Sequence, residues 1–245
     1  MESCLVKELN LRYQPVAVFL SNEKPEGALQ SKAGHWSCTI PLFLAAAKGK
    51  TAVFERNTTE CHGGKAGMGF GQFPNYPGGI EYFLSTGKSG VFEGEGYKKD
   101  PELGKEYVEC LPITDIPYQY VIFKPMAEVD TTKEIPELII FYVNNDQLSA
   151  LTVLANYYRP GIENVLMPFS SGCQSIFLIP YNEAQKENPR AVVGLTDITV
   201  RPMIEPDMLS FSVPYKMFLD MEESVKGSFL EKHLWDRVVA RMKKK

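Results

Sequence analysis

Residues 138–173 read LIIFYVNNDQLSALTVLANYYRPGIENVLMPFSSGC: an apolar run, an amphipathic segment, a second short apolar run and a cysteine. Leu138–Val143 follows Pro136 and reads as a buried strand. Leu148–Tyr158 reads as a helix stopped by Pro160-Gly161, and Asn164–Met167 as a strand ahead of Cys173. The first part of the chain spells the same order. Val16–Leu20 is a strand, and Cys38–Lys48 is an alanine-rich helix with Pro41 in its first turn and Gly49 at its stop. Thr51–Phe54 is a strand, and Cys61 follows. Val53 lies eight residues before Cys61, as Val165 does before Cys173. The expected fold is therefore α/β: a single compact domain over residues 1–245, with two β-α-β-Cys halves that are candidates for an internal duplication facing one site.

The remaining segments fill in this frame. Helices are expected at Gly79–Ser85, Pro101–Cys110, Tyr215–Ser224 and Ser228–Met242. The last presents Leu230, Leu234, Val238, Val239 and Met242 at helical spacing. Strands are expected at Gln119–Phe123, Ile176–Leu178, Ala191–Leu195, Ile198–Arg201 and Leu209–Val213, with a polar helix or loop at Asn182–Asn188. A chain of 245 residues buries enough surface to need no disulfide or metal staple. Its net charge of −4 argues against a nucleic-acid surface, and its apolar runs are too short to span a bilayer. Five scattered cysteines and no signal-peptide pattern point to a cytoplasmic, reduced protein, so the sequon Asn57-Thr58-Thr59 carries no weight. A homodimer is the base-rate expectation.

Three cysteines stand at the junctions of elements. Cys38 opens a helix, Cys61 precedes a glycine-rich segment, and Cys173 follows Ser170-Ser171-Gly172. Free backbone N–H groups at such junctions favour a thiolate, the form that ligates metals and attacks electrophiles. Cys38, Cys61 and Cys173 are candidate ligands of an iron–sulfur cluster or another thiolate-bound metal. The fourth ligand would be Cys110, a non-cysteine side chain or an open iron position. Cys110 and Cys4 otherwise read as structural or incidental. His35, three before Cys38, and His62, next to Cys61, make a zinc set conceivable, but the spacing matches no known finger and exposed loop positions are the simpler reading.

Residues 63–79, GGKAGMGFGQFPNYPGG, hold seven of the nineteen glycines. Gly63 and Gly64 are candidate cofactor-binding positions through their N–H groups, and the run suits an anion nest. Phe70, Phe73 and Tyr76 either line a flat-ligand pocket or pin the loop to the core. The run is neither a P-loop nor a dinucleotide fingerprint. Asp197 and Arg201 fall four apart on an expected strand, placed for a salt bridge or for holding an anion.

Taken together, Pro15-Val16-Ala17-Val18, Cys38 opening its alanine-rich helix, Cys61-His62-Gly63-Gly64, Gly172-Cys173 and the Asp197…Arg201 segment resemble the family known as domain of unknown function 169, over nearly the whole chain. The resemblance implies that the family's characteristic cysteines fall on Cys38, Cys61 and Cys173. It supplies no reaction. The glycine-rich run stands where many relatives look more clearly helical.

The leading expectation is a site where these three cysteines bind a cluster or metal for redox or ligand binding, with a redox partner or small molecule as the partner and Gly63 and Gly64 in support. The alternatives are a thiol enzyme or sensor with Cys61 as nucleophile, and a non-catalytic module binding a small anion or flat ligand in the glycine-rich loop.

Overall fold

The computed structural model describes residues 2–32, 34–35, 37–57, 61–72, 76 and 78–243. Thr58 and Thr59 of the sequon and Phe73 of the glycine-rich run lie outside them. In chain order the described elements begin with α1 (Cys4–Glu8), β1 (Val16–Ser21), β2 (Leu29–Gln30), α2 (Ile40–Ala47) and β3 (Ala52–Glu55). Next come α3 (His62–Gly67), α4 (Ile80–Leu84), α5 (Pro101–Cys110), β4 (Tyr120–Pro125), β5 (Leu138–Val143), α6 (Asn145–Asn156) and β6 (Val165–Leu166). A π-helix over Gln174–Leu178 runs into α7 (Ile179–Ala184), followed by β7 (Ala191–Gly194), β8 (Leu209–Pro214), α8 (Tyr215–Glu223) and α9 (His233–Met242). The fold is α/β, as expected.

All eight strands form one mixed sheet in the order β2-β3-β4-β1-β5-β8-β7-β6. Its central pair is β1 and β5, antiparallel, with Val16 opposite Ile140. Outward from that pair each side runs first, fourth, third and second strand, and only the outermost pairs, β2/β3 and β6/β7, are parallel. The sequence echo of β1-helix-β3-Cys61 with β5-helix-β6-Cys173 is therefore not the matching that the sheet contains. β1 and β5 each have only antiparallel neighbours, so neither begins a parallel strand-helix-strand unit with its neighbour. The units with adjacent parallel strands are β2-α2-β3 and β6-π-α7-β7. Cys38 and Cys173, and not Cys61, each stand between the first strand and the helix of such a unit.

Alternation along the central strands divides the core in two. Val16, Val18, Leu138, Ile140 and Tyr142 meet α2 and the π-helix on one face. Ala17, Ile139, Phe141 and Val143 meet α1, α6 and α8 on the other. α9 joins the second face through Trp235, whose Nε1 donates to the Glu8 carbonyl at 3.0 Å. Leu234, expected in that packing face, is exposed. Cys4 is anchored, its amide donating to Glu222 at 3.0 Å.

Two expected strands are absent. Ile176–Leu178 belongs to the π-helix, because a short run of fully buried apolar residues carries no period that separates strand from buried helix. Residues 198–200 are turn, and Arg201–Met203 is a 3₁₀ turn. β7 ends at Gly194, and the next residue, Leu195, has a φ of 63° that takes the chain out of extended geometry. Among the described residues no helix is long and apolar enough to cross a membrane.

Candidate functional site

The three cysteines lie on the first face of the sheet, each at the start of a helix. Cys38 stands immediately before Thr39, the N-cap of α2. Cys61 is itself the N-cap of α3, its Sγ accepting from the Gly64 amide at 3.2 Å. Cys173 caps the π-helix; its Sγ donates to the Gly63 carbonyl at 3.2 Å and lies 3.2 Å from Ser171 Oγ. α3 bridges two of the thiols, one bonded to the amide and the other to the carbonyl of its first turn. Its sequence, HGGKAG, permits this. A Cβ on Gly67 would stand 2.4 Å from Cys173 Sγ and 3.0 Å from the Gln174 amide nitrogen, so only glycine lets α3 lie this close to the π-helix.

Together these helices wall a cavity of about 390 Å³. Cys38, Cys61, Gly63, Gly64 and Cys173 all line it. Opposite them is a flap built from the chain between α3 and β4. α4 has no buried side chain and α5 only Gly104, where a Cβ would come within 2.8 Å of the Glu81 carbonyl, so the two helices pack chiefly on each other. The flap contributes Ile80, Phe83, Leu84, Tyr97, Tyr107 and Val108 to the cavity. Two tyrosine hydroxyls fasten it to the body: Tyr97 donates to Asp197 Oδ1 at 3.2 Å, and Tyr107 to the Phe169 carbonyl at 3.1 Å. Lys98 Nζ lies 4.6 Å from the ring centres of both Tyr107 and Phe169.

Asp197 is the polar hub of the wall. Its Oδ1 accepts from the Thr199 amide at 3.0 Å and Thr199 Oγ1 at 2.8 Å, and its Oδ2 from the Gly172 amide at 3.2 Å. It makes no bridge to Arg201, which the expected strand placed beside it. Arg201 turns away and donates to the carbonyls of Leu195 and Met208. Gln174 also lines the cavity. Its Oε1 accepts from the Ser171 amide, while its buried Nε2 finds no partner among the described residues, an orphan donor of the kind that costs about 1–3 kcal/mol.

Burial dominates the thiols. It raises all three above the ordinary 9.0, Cys173 to about 12, where Ser171 opposes the rise and Cys61, Cys38 and Asp197 add to it. The N–H groups of Gly64 and Gly63 do pull Cys61 downward, as junction geometry implies, but desolvation is larger. The expected lowering is thus reversed by burial. The mutual influence of Cys38, Cys61 and Cys173 reflects their shared cavity.

The remaining candidate residues fall partly inside and partly outside the cavity. Gly63 and Gly64 are helical and do not form an open nest. Phe70 is buried against Phe54, pinning its segment to the core, whereas Tyr76 does line the cavity. His62 lines it too, 5.7 Å from the Tyr76 ring, but His35 is exposed and outside it. Cys110, offered as a fourth ligand, is exposed on α5 and does not line the cavity. Among the described residues no group of three His, Cys, Asp or Glu is arranged to hold a metal ion. Sequence reasoning missed Gln174 and the flap aromatics Phe83, Tyr97 and Tyr107, as well as Phe169. Alternation and capping carry no mark of a side chain that faces a distant cysteine.

Gly67→Ala is expected to cost about 1–3 kcal/mol through the clash with Cys173. Gly63→Ala is expected to gain up to about 1 kcal/mol, since its added Cβ meets no atom within 4 Å and alanine is the better helix former. Urea denaturation of the two variants checks this opposition of sign; equal effects would refute the close-packed α3.

No curated protein and no solved structure gives a significant match. The model of the DUF169 family, described as uncharacterised ArCR, matches residues 4–224, and this chain, with its three cysteines gathered on one cavity, belongs to that family.

Proposed function

We propose that this protein binds a small organic molecule in the cavity beneath the α4–α5 flap, with Cys38, Cys61 and Cys173 as part of its wall. The observation that carries this reading is the cavity itself. At about 390 Å³ it falls in the size range of small-molecule sites, and its mostly apolar and aromatic lining is interrupted by a few convergent polar groups. The test is a fragment titration followed by protein NMR, comparing the natural chain with Gly63→Leu. Gly63 lines the cavity and has open space where a Cβ would stand, so leucine there is expected to narrow the cavity without disturbing α3. Binding is expected to disappear in the variant while its fold persists. Fragments that bind both proteins equally would refute the reading.

A second reading has its own support: three thiols from three separated segments share the cavity, a donor set suited to soft metals and iron–sulfur clusters. A bound metal would hold these thiols deprotonated despite their burial. Anaerobic purification with counts of iron, sulfide and zinc per chain tests it. Stoichiometric metal that is lost on Cys61→Ser supports a thiolate centre, and a colourless, metal-free protein removes it. The nucleophile reading of Cys61 is the weakest, since burial keeps that thiol protonated.

A further inference from the structure

We propose that the cavity selects a positively charged organic ligand, an amine or quaternary ammonium carried on a small apolar body. This rests on the small-molecule reading and adds the charge of the ligand. Two carboxylates, Glu95 and Asp197, line the cavity, and among the described residues no lysine or arginine does. Neither carboxylate is in an ion pair with a described residue: Glu95 is exposed at the cavity rim and Asp197 is half-buried, whereas the buried Glu183 is paired with Arg190 and Lys186. Asp197 is held by neutral donors only: one tyrosine hydroxyl, one threonine hydroxyl and two backbone amides. Its geometry is therefore fixed while its charge is left for another partner. An anionic ligand would meet like charge in a largely apolar enclosure, where charges need a counter-charge.

The aromatic wall fits the same charge. Tyr76, Phe83, Tyr97, Tyr107 and Phe169 all line the cavity, and aromatic faces attract ammonium groups. Two of these rings already hold one, since the Lys98 ammonium sits 4.6 Å from Tyr107 and from Phe169. The phenols register the negative field. Tyr97 and Tyr107 are both pushed up to about 12, first by burial and then by Asp197, and burial followed by Glu95 raises Tyr76.

The test is calorimetric titration of the purified 245-residue chain with three probes of similar size: benzyltrimethylammonium, benzyl alcohol and phenylacetate. The cation is expected to bind at least tenfold more tightly than the alcohol, and phenylacetate not measurably. Asp197→Asn is expected to erase most of that preference while benzyl alcohol still binds. Glu95→Gln, whose side chain makes no hydrogen bond to a described residue, is expected to reduce it without affecting stability, which guards against misfolding of the Asp197 variant. Equal or tighter binding of the alcohol or phenylacetate would overturn the charge assignment and leave the small-molecule reading standing. A preference for the cation unchanged in both variants would overturn the role of the carboxylates and with it the proposal. Failure of all three probes would overturn both readings.

Discussion

Phe177→Ala is expected to destabilise the protein by about 3–5 kcal/mol, the range for emptying a fully buried phenylalanine site. Phe177 is the fourth residue of the π-helix. Its ring stacks on Tyr181 at 5.4 Å and lies under the turn that follows α3, where a Cβ on Gly69 would stand 3.2 Å from its edge. Phe141, equally buried but on the opposite face of the sheet beside Phe218, is the control. Phe141→Ala is expected to cost a similar amount. Only Phe177→Ala is expected to loosen the segment that carries Cys173, so at matched loss of stability Cys173 should react faster with iodoacetamide in that variant. Urea denaturation gives the first quantity and mass-spectrometric labelling the second. Equal labelling in the two variants would show that the π-helix does not set the position of Cys173.

The second large effect is alkaline. Cys173 ionises at about 12 in the folded chain, because burial disfavours its thiolate, against an ordinary value of 9.0. Below pH 9 both states keep the proton and no stability is lost. Above it the unfolded chain releases the proton while the folded chain holds it, so stability falls as pH rises towards 12, by about 1.4 kcal/mol per pH unit from this group. Cys38 and Cys61 are raised as well and act in the same direction. Between pH 8 and pH 10.5, Cys173→Ala is expected to lose roughly 2 kcal/mol less than the natural chain. Urea midpoints measured at both pH values decide this. Identical losses would mean that Cys173 is solvated in solution. If a metal holds the thiols deprotonated, the slope disappears from the natural chain until the metal is removed.

These effects converge on α3 and the π-helix, the two elements least evident in the primary structure. α3 is built from HGGKAG, which local propensity disfavours as helix. It persists because Cys61 caps it and its glycines allow contact with Cys173. The π-helix reads as a strand in isolation because all five of its residues are buried. Both are tertiary overrides of local preference, and both border the cavity.

The α/β class, most strands and helices, and the three cysteines as residues of interest were legible in the primary structure alone. Leu138–Val143 and Pro101–Cys110 coincide with their expected bounds, because apolar runs, prolines and caps act within a few residues of themselves. It also marked Asp197, though with the wrong neighbour, since a strand was assumed where Leu195 turns the chain. What tertiary contacts added is that Cys38 and Cys173 each open a helix between parallel strands, that the α4–α5 flap shares a cavity with the thiols, and that among the described residues this cavity is lined by carboxylates and by no lysine or arginine. Those facts depend on the strand order and on contacts between segments far apart in the chain, such as Tyr97 with Asp197, which no local pattern encodes.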